Sequence, residues 1–407
     1  MTSYFDARET RSPDQRAQDL AQALPEQIAR AKAGAPALGA MLADVDAASV
    51  TGPAELARLP VIRKSALGAA QTDAPPFGGF TTQPATAFAH VFQSPGPIYE
   101  PGSIAADWWR LGRFLHGAGI GPGDIVQNCF SYHMTPAGMI FESGARAVGA
   151  TVFPAGTGQT ELQARAAKDL GVTAYAGTPD YLKVILDKAD ELGLDLAIRK
   201  AAVSGGALFP SLRKDYADRG IACLQCYATA DLGMIAYESP AMEGMIVDEG
   251  VIVEIVRPGT GDPVPEGEVG EVVVTTLNPD YPLIRFATGD LSAVLPGISP
   301  CGRTNMRIKG WMGRADQTAK IKGMFVRPEQ VAELVARHDD VARARITVTR
   351  EDERDVMTVL LETEALDLAV YEPSLAEVLK LSGGIRLVPP GSLPNDGKVI
   401  DDQRDYG

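Results

Sequence analysis

The chain has 407 residues, 45% of them hydrophobic, and a formal net charge of −14. This length indicates one large domain with a smaller one rather than a single ordinary core. The acidic balance excludes nucleic acid and anionic membrane surfaces as default partners, because binding to them depends on lysine and arginine. The polar N-terminal stretch MTSYFDARETRSPDQR has no apolar run, and no segment approaches the roughly 20 apolar residues that span a bilayer. We therefore expect a cytoplasmic protein.

Short apolar strands alternate with helices over residues 124–227. Strands are predicted at 125–130, 151–154, 172–177, 201–203 and 221–227, and helices at 135–148, 160–170, 178–192 and 210–219. The dipeptides Thr135-Pro136 and Thr178-Pro179 each offer an N-cap followed by proline at the first helical position. This alternation predicts a parallel sheet with helices on both faces.

The pattern changes after about residue 247. The β-branched runs VIVEIV and GEVVVTT, separated by a turn-rich segment, predict an antiparallel β-subdomain. The hairpin-like stretch QTAKIKGMFV then precedes a helix at Pro328–His338 and the strands ARITVTR and VMTVLLET. We expect an α/β protein with a large N-terminal domain at 1–314, which has helix-covered mostly parallel sheets plus the β-subdomain, and a small mobile α+β lid domain at 315–407.

The four cysteines are too few for a disulfide framework. Cys223 and Cys226 have CxxC spacing, which is compatible with a redox or metal motif. They lie in the apolar run IACLQCY, so we interpret them as buried strand thiols.

Four motifs follow one another in the second half of the chain. They are YPLIRFATGDL at 281–291, GRADQ at 313–317, KG at 322–323 and LPNDGKVID at 393–401. This ordered set resembles the phenylacetate–CoA ligase branch of the adenylate-forming superfamily. The resemblance covers nearly the whole chain, because SYHMTPAGMIFESGARAVGATVFPAG, AGTPDYL, SGGALFP and YATADLG fall where the middle motifs of that branch fall. The most specific match is GDPVPEGEVGEVVVTTLNPDYPLIRFATGDL.

The resemblance implies a reaction in two halves. A carboxylate attacks ATP to give an acyl-adenylate and pyrophosphate, and the thiol of CoA then displaces AMP after the small domain rotates. Asp290 is implied to accept hydrogen bonds from both ribose hydroxyls, and Arg314 to contact the same nucleotide. Asp316 matches the hinge, and Lys398 matches a mobile lysine that reaches the α-phosphate and carboxylate oxygens.

Further site residues are implied by the same resemblance. The nucleotide-binding candidates are Tyr227, which packs on the adenine, Gly206, Ala207, Thr229, Ser94 and Gly96. Tyr132 and His133 follow a strand at the carboxyl edge of the predicted sheet, where ligands bind, and are candidates for the acyl pocket. A surface or capping histidine remains the alternative for His133.

The segment at the position of the family's phosphate loop departs from the family pattern. It reads QSPGPIYEPG before the predicted Trp108–Trp109 helix, and only Ser94 and Gly96 survive. Its three prolines lack N–H donors. Glu100 takes the position of the loop lysine and would repel a triphosphate unless a metal intervened, so we expect weak retention of pyrophosphate.

Two further departures concern metals. In YATADLG, Ala230 lacks the family's hydroxyl, whereas Asp231 keeps a shorter carboxylate and is the candidate Mg²⁺ ligand. Relatives in this branch carry a Cys/His zinc cluster, whose positions here are Ser239, Ile246, Ser299 and Cys301. One thiol cannot build a tetrahedral zinc site, so no zinc is expected.

Three functions remain open on these grounds. The favoured one is an AMP-forming acid–CoA ligase that uses ATP, Mg²⁺, CoA and an aryl or small acyl acid. The second is an adenylating enzyme with a non-CoA acceptor in biosynthesis, and the third is a non-catalytic nucleotide- or acyl-binding homologue. No motif reports the oligomeric state, for which a homodimer is the default.

Overall fold

The computed structural model of the protein describes residues 3–206, 208–315, 317, 319–321, 324–351, 354–394, 396 and 398–404. The chain divides into two compact units. Unit 1 comprises Met1–Val253, Val274–Phe286 and Leu295–Gly310, and unit 2 comprises Glu254–Val273, Ala287–Val294 and Trp311–Gly407. The domain boundary predicted at 314/315 stays a prediction.

Unit 1 contains most of the regular structure. Its helices are α1 (Pro13–Gly34), α2 (Pro36–Met41), α3 (Pro53–Leu56), α4 (Leu67–Asp73), α5 (Gly112–Gly117), α6 (Ala137–Ala147), α7 (Thr160–Leu170), α8 (Pro179–Glu191) and α9 (Pro210–Asp218). Its strands are β1 (Ile62–Arg63), β2 (His90–Ser94), β3 (Ile98–Gly102), β4 (Ile125–Asn128), β5 (Thr151–Phe153), β6 (Ala174–Gly177), β7 (Lys200–Val203), β8 (Ala222–Thr229), β9 (Gly233–Tyr237) and β10 (Met245–Val247). The residues of four further strands are divided between the two units, namely β11 (Val251–Val256), β12 (Gly270–Thr276), β13 (Phe286–Ser292) and β14 (Val294–Leu295), and β15 (Arg307–Ile308) belongs to unit 1.

The main sheet has the strand order β14-β15-β10-β9-β8-β7-β6-β4-β5. Strands β4 to β8 pair in parallel, and β9, β10 and β15 continue the sheet antiparallel. Alternate residues of one strand enter different cores: Ala174 and Ala176 of β6 pack with α5 and α6, whereas Tyr175 packs with α7, α8 and α9. Helices therefore cover both faces of the parallel part of the sheet, as predicted, because successive strand side chains point to opposite sides.

Local sequence explains most helix boundaries but not all of them. Helix α8 begins at Pro179 after Thr178, as predicted. Helix α6 begins only at Ala137, with Pro136 as N-cap and no side-chain capping bond, so the predicted cap at Thr135 is wrong. The helix predicted at Trp108–Trp109 is also wrong. Asp107 and Arg110 adopt positive φ there, and the Asp107 carboxylate accepts the N–H of Gly112, where α5 begins.

Cys223 and Cys226 lie on β8, and both are buried free thiols. Burial raises their pKa values to about 12. The interpretation of the CxxC spacing as core packing is confirmed. Strands β1, β13, β12 and β11 form a second sheet in that order, which contains the predicted β-subdomain strands.

Unit 2 is a small α+β body. It contains β16 (Ala319–Ile321), β17 (Met324–Val326), α10 (Pro328–Ala336), β18 (Arg343–Glu351), β19 (Arg354–Glu362), α11 (Glu372–Leu379), β20 (Gly384–Val388) and β21 (Ile400–Asp402). Strands β16 and β17 form the predicted hairpin. Four strands form one sheet in the order β20-β19-β18-β21. Helices α10 and α11 pack on this sheet, and Val331, Ile346 and Leu375 belong to the shared core. The predicted α/β fold class, with its small α+β part, is confirmed.

No helix in the described part of the chain has the length and apolar character needed to cross a membrane.

Candidate functional site

The carboxylate of Asp290, in unit 2, is held by two N–H donors from the chain that follows it. Its Oδ1 accepts hydrogen bonds from Trp311 Nε1 at 3.1 Å and from Arg314 at 2.9 Å. The Asp290 side chain is 10% exposed, whereas that of Arg314 is 55% exposed. Asp290 and Arg314 also form an antiparallel bridge. The structure thus brings together two residues that were predicted to bind one nucleotide.

The turn before Asp290 depends on a glycine. Gly289 has a φ of +76°, and a Cβ there would lie 3.0 Å from an Arg314 guanidinium nitrogen. Glycine adopts this conformation without steric cost. Thr288 Oγ1 donates to the carbonyl of Val272 at 3.1 Å and accepts the Asp290 N–H at 3.2 Å. The Thr-Gly-Asp sequence therefore fixes the direction of the carboxylate and leaves room for the arginine.

Lys398 lies on an exposed segment of unit 2 before β21. Its Nζ is 3.1 Å from Asp401 Oδ1, and its side chain is 52% exposed. Burial works against ionisation of Asp401, but hydrogen bonds from Gln403 and Lys398 outweigh it and keep the pKa of that carboxyl below its ordinary value. Among the described groups, one partly solvated carboxylate thus holds the Lys398 ammonium, and a more strongly charged group could displace it.

Lys398 also borders a cavity of about 480 Å³ within unit 2. The cavity is lined by the Arg257–Val269 turn segment, by α10 and by the neighbourhood of β21. Its charged lining residues have both signs and include Arg257, Glu268 and Arg343.

In unit 1 the YATADLG motif forms the turn of a β-hairpin. Tyr227 and Thr229 lie at the end of β8, and Thr229 pairs with Gly233 at the start of β9. Tyr227 is 8% exposed. Thr229 Oγ1 accepts the N–H of Leu232 at 3.2 Å, which closes the turn and orients Asp231.

Asp231 belongs to a polar cluster with Lys64, Glu100, Ser94 and Tyr281, of which Asp231, Glu100 and Tyr281 are buried. Lys64 Nζ lies 2.6 Å from Asp231 Oδ2, and the Ser94 hydroxyl donates to Glu100 Oε1. Asp231 Oδ1, Glu100 Oε2 and the Tyr281 hydroxyl have no hydrogen-bond partner within the described ranges. Burial, with a smaller effect from the negative charge of Asp231, raises the pKa of Glu100 to about 8.

The segment at the phosphate-loop position is a β-hairpin. Strands β2 and β3 pair from His90↔Gly102 to Ser94↔Ile98, so Pro95, Gly96 and Pro97 form its tight turn. Gly96 therefore lies at the tip, and Ser94 points to Glu100. Glu100 is fully buried, although the sequence alone suggested a charge facing phosphate.

The remaining predicted residues lie in unit 1 or outside the described residues. Tyr132 follows β4, and its hydroxyl accepts a hydrogen bond from Asn128 at 2.8 Å. His133 is exposed, and its backbone exchanges hydrogen bonds with the Ser131 hydroxyl. Gly206 follows β7. Ala207 and Asp316 lie outside the described residues.

The four positions of the family zinc cluster form a compact core region. Ile246 and Cys301 belong to the hydrophobic core, and Ser239 and Ser299 are buried. Cys301 Sγ is 3.1 Å from Ser299 Oγ and 3.5 Å from an Arg303 guanidinium nitrogen. Among the residues with described positions, no group of three or more His, Cys, Asp and Glu side chains is placed to hold a metal ion. The expected lack of zinc stays a prediction.

Three residues near the predicted site were not singled out from the sequence. Trp311 contacts Asp290, Lys64 pairs with Asp231, and Gln317 contacts the segment after Lys398. Trp311 and Gln317 flank or belong to the GRADQ motif, which was a usable signal. Lys64 had none, because it lies 167 positions before its partner.

Comparison with known proteins gives a consistent result. A protein-family model described as AMP-binding enzyme matches residues 115–278. The chain is 30% identical to a phenylacetate-coenzyme A ligase of Thermus thermophilus over 353 residues, which covers 83% of this chain and 77% of the relative. It is 29% identical to the Escherichia coli enzyme of the same name, with 71% of each chain covered. A crystal structure of 2-hydroxyisobutyryl-CoA ligase with 2-HIB-AMP and CoA has the same fold, with a TM-score of 0.72, 24% identity, and coverage of 95% of this chain and 91% of that one.

Proposed function

Because the chain belongs to the phenylacetate–coenzyme A ligase family of adenylate-forming enzymes, we propose that it is an AMP-forming acid–CoA ligase. In the first half-reaction a carboxylate oxygen attacks the α-phosphorus of ATP and pyrophosphate leaves. In the second the thiol of CoA attacks the acyl carbon, and AMP leaves with the bonding electron pair. The observation that carries the proposal is the Asp290–Arg314 pair in unit 2, together with Lys398 on the same unit.

Asp290 is proposed to bind the ribose. Its carboxylate already accepts two N–H donors, from Trp311 and Arg314, so two hydroxyl donors can take their place without leaving a buried charge unpaired. Arg314 has an exposed guanidinium, and its release from Asp290 would leave it available to an AMP phosphate. Asp316 is proposed as the hinge.

Lys398 is proposed as the adenylation lysine. Negative charge develops on the α-phosphate oxygens as the carboxylate attacks, and an ammonium placed there stabilises the transition state. Its present partner, Asp401, is a weak competitor for a phosphate because the pair is partly exposed to solvent.

Asp231 is proposed as an Mg²⁺ ligand. The orphaned oxygen Asp231 Oδ1 suits this hard cation, which prefers carboxylate oxygens. Mg²⁺ supplies charge neutralisation to the bound phosphates. Lys64 Nζ is paired with the other oxygen of Asp231, Oδ2, at 2.6 Å.

The acid is proposed to be aryl or small acyl, with Tyr132 and His133 at its pocket. Phenylacetate and 2-hydroxyisobutyrate are the acids to test first, since the compared proteins are named for them. Tyr227, Thr229, Ser94, Gly96 and Gly206 remain proposed nucleotide contacts in unit 1, and Ala207 completes that set.

The decisive experiment measures the two half-reactions separately. Pyrophosphate release is followed with a panel of acids, Mg-ATP and no CoA, and acyl-CoA formation is followed from preformed acyl-adenylate. Release without CoA transfer, but with transfer to hydroxylamine, would favour a non-CoA acceptor. If calorimetry shows AMP binding but no acid gives pyrophosphate release, the non-catalytic homologue is favoured. This alternative has to be tested because a β-hairpin stands at the position of the family's phosphate loop.

A further inference from the structure

Lys398 sits on a segment whose backbone is held by side chains on both sides. We call residues 396 and 398–400 the lysine arm. On one side, Arg345 of β18 donates from Nε to the carbonyl of Lys398 at 2.9 Å and from Nη2 to the carboxylate of Asp396. Asp396 Oδ1 in turn accepts the N–H of Lys398 at 3.1 Å. The peptide groups on both sides of the Lys398 Cα are thereby fixed.

On the other side, one oxygen holds the residues that follow. Gln317 Oε1 accepts the N–H of Val399 at 2.5 Å and the N–H of Ile400 at 2.8 Å. Ile400 then begins β21, which pairs in parallel with Ile346 of β18. A single side-chain amide therefore secures two consecutive peptide groups of the lysine arm, directly after the lysine itself.

The side chains of Arg345 and Asp396, which bind the lysine arm, are themselves held by their surroundings. The Arg345 side chain is 7% exposed, so its guanidinium is confined by the core around it. Burial opposes ionisation of Asp396, but its bonds to Arg345 and to the Lys398 N–H outweigh this effect and lower its pKa. The Lys398 Nζ, by contrast, is solvated and held only by Asp401 among the described groups. The backbone of the lysine arm is thus held by side-chain hydrogen bonds, whereas its ammonium is exposed to solvent.

We propose that Gln317 is a positioning residue for adenylation, which ties the chain segment just after Arg314 to the arm that carries Lys398. Gln317 is three residues after Arg314 and one after the proposed hinge. Through its two bonds, the arm is attached directly to the first residues beyond that hinge, and it follows them when they reorient. This inference rests on the proposed function, because it assigns a role within the adenylation half-reaction.

The physical consequence is specific to one half-reaction. If Oε1 is removed, the N–H groups of Val399 and Ile400 lose this acceptor. The lysine arm then keeps its bonds to Arg345 and the bond from the Ile346 N–H to the Val399 carbonyl, but loses the support directly after Lys398. A displacement of about 1 Å in a charged catalytic group reduces a rate by about 100-fold, whereas substrate affinity is little affected. CoA transfer from preformed acyl-adenylate does not require the lysine in the adenylation position, so it is unchanged.

The test compares Gln317→Leu with Gln317→Glu. Leucine has a similar size and no acceptor, whereas glutamate keeps an oxygen for both N–H groups. We expect Gln317→Leu to lower kcat for pyrophosphate release about 10- to 100-fold, with KM for ATP within about threefold and CoA transfer within about twofold of the original protein. Gln317→Glu should retain adenylation within about threefold.

A matched control is Gln330→Leu. Gln330 is also in unit 2, and its side-chain oxygen also accepts a backbone N–H, that of Arg327. Its Nε2 donates to the carbonyl of Val378, so its bonds lie outside the lysine arm. It should lower stability without separating the two half-reactions. The inference would be overturned if Gln317→Leu slowed pyrophosphate release and CoA transfer equally, or slowed neither. It would also be overturned if Gln317→Glu slowed pyrophosphate release as much as Gln317→Leu does. Absence of pyrophosphate release in the unmodified protein would instead contradict the proposed function.

Discussion

Glu100 should make unit 1 less stable as the pH rises from mildly acidic to mildly basic. The carboxyl is fully buried, which raises its pKa, and the nearby negative charge of Asp231 raises it further. The hydrogen bond from Ser94 and the positive charge of Lys64 oppose this rise without cancelling it. Its pKa moves from an ordinary value of 4.5 to about 8. Between these two values the folded state holds a proton that the unfolded state has released, so the free energy of unfolding falls with increasing pH.

The size of the effect follows from the same two values. Within that interval each pH unit costs up to about 1.4 kcal/mol. Integration between about pH 5 and about pH 7.5 gives about 3 kcal/mol. This is a large share of the total stability of a domain, which is about 5–15 kcal/mol. Glu100→Gln keeps the size of the side chain and an acceptor for Ser94 but cannot ionise, so it should remove this dependence.

The assay is urea denaturation of the original protein and the Glu100→Gln variant at several pH values, with tryptophan fluorescence as the signal. The chain has three tryptophans. In a Trp311→Phe background the remaining two, Trp108 and Trp109, lie in unit 1 with Glu100. The stability difference should be small near about pH 5 and grow in favour of Glu100→Gln toward about pH 7.5.

An exposed carboxyl provides the control. Glu161, which forms a surface ion pair with Arg165, should give a profile parallel to that of the original protein when changed to glutamine. Parallel pH profiles for the original protein and Glu100→Gln would refute the argument, because they would mean that Glu100 titrates alike in the folded and unfolded states. Lower stability of Glu100→Gln at the basic end would refute it as well.

Three further outcomes are expected. Lys398→Ala should abolish pyrophosphate release while sparing CoA transfer from preformed acyl-adenylate, and Lys214→Ala, which removes another exposed lysine paired with an aspartate, should leave both unchanged. Gly289→Ala should weaken AMP binding measured by calorimetry, because positive φ and contact with Arg314 together cost about 1–3 kcal/mol. Arg345→Lys should slow pyrophosphate release about 10-fold, because an ammonium cannot reproduce the two guanidinium bonds to the Lys398 carbonyl and the Asp396 carboxylate.

Each of these outcomes has a clear contrary result. Equal loss of both half-reactions in Lys398→Ala would remove its assignment to adenylation. Unchanged AMP affinity in Gly289→Ala would mean that the Thr-Gly-Asp turn does not shape the nucleotide site. Full pyrophosphate release in Arg345→Lys would show that the lysine arm does not need its bidentate support.

Much of the fold follows from local sequence. The β-branched and small apolar runs VTAYAG at 172–177 and AAV at 201–203 are typical of buried parallel strands, and the structure has β6 and β7 there. Pro179 and Pro210 begin helices, since a proline at the first helical position loses no hydrogen bond. The family was predicted from the order of its motifs, and comparison with curated relatives confirms it.

Other features were decided by contacts between distant parts of the chain. The sequence placed Glu100 where the family has a phosphate-binding lysine, but it did not show that β2 and β3 pair and bury the carboxyl beside Asp231. Burial of a charged residue depends on what packs around it, and Lys64, which supplies the compensating charge at Asp231, comes from a remote segment.

The sequence by itself determined the chemical identities at the proposed site: an aspartate after a Thr-Gly turn, an arginine after a glycine, and a lysine near the C-terminus. Only the tertiary structure decided how they are held. Asp290 accepts a hydrogen bond from Trp311, and the backbone around Lys398 is hydrogen-bonded to Gln317 and Arg345. A hydrogen bond requires two atoms within about 3 Å, whatever their separation along the chain, so only the folded structure shows these partners.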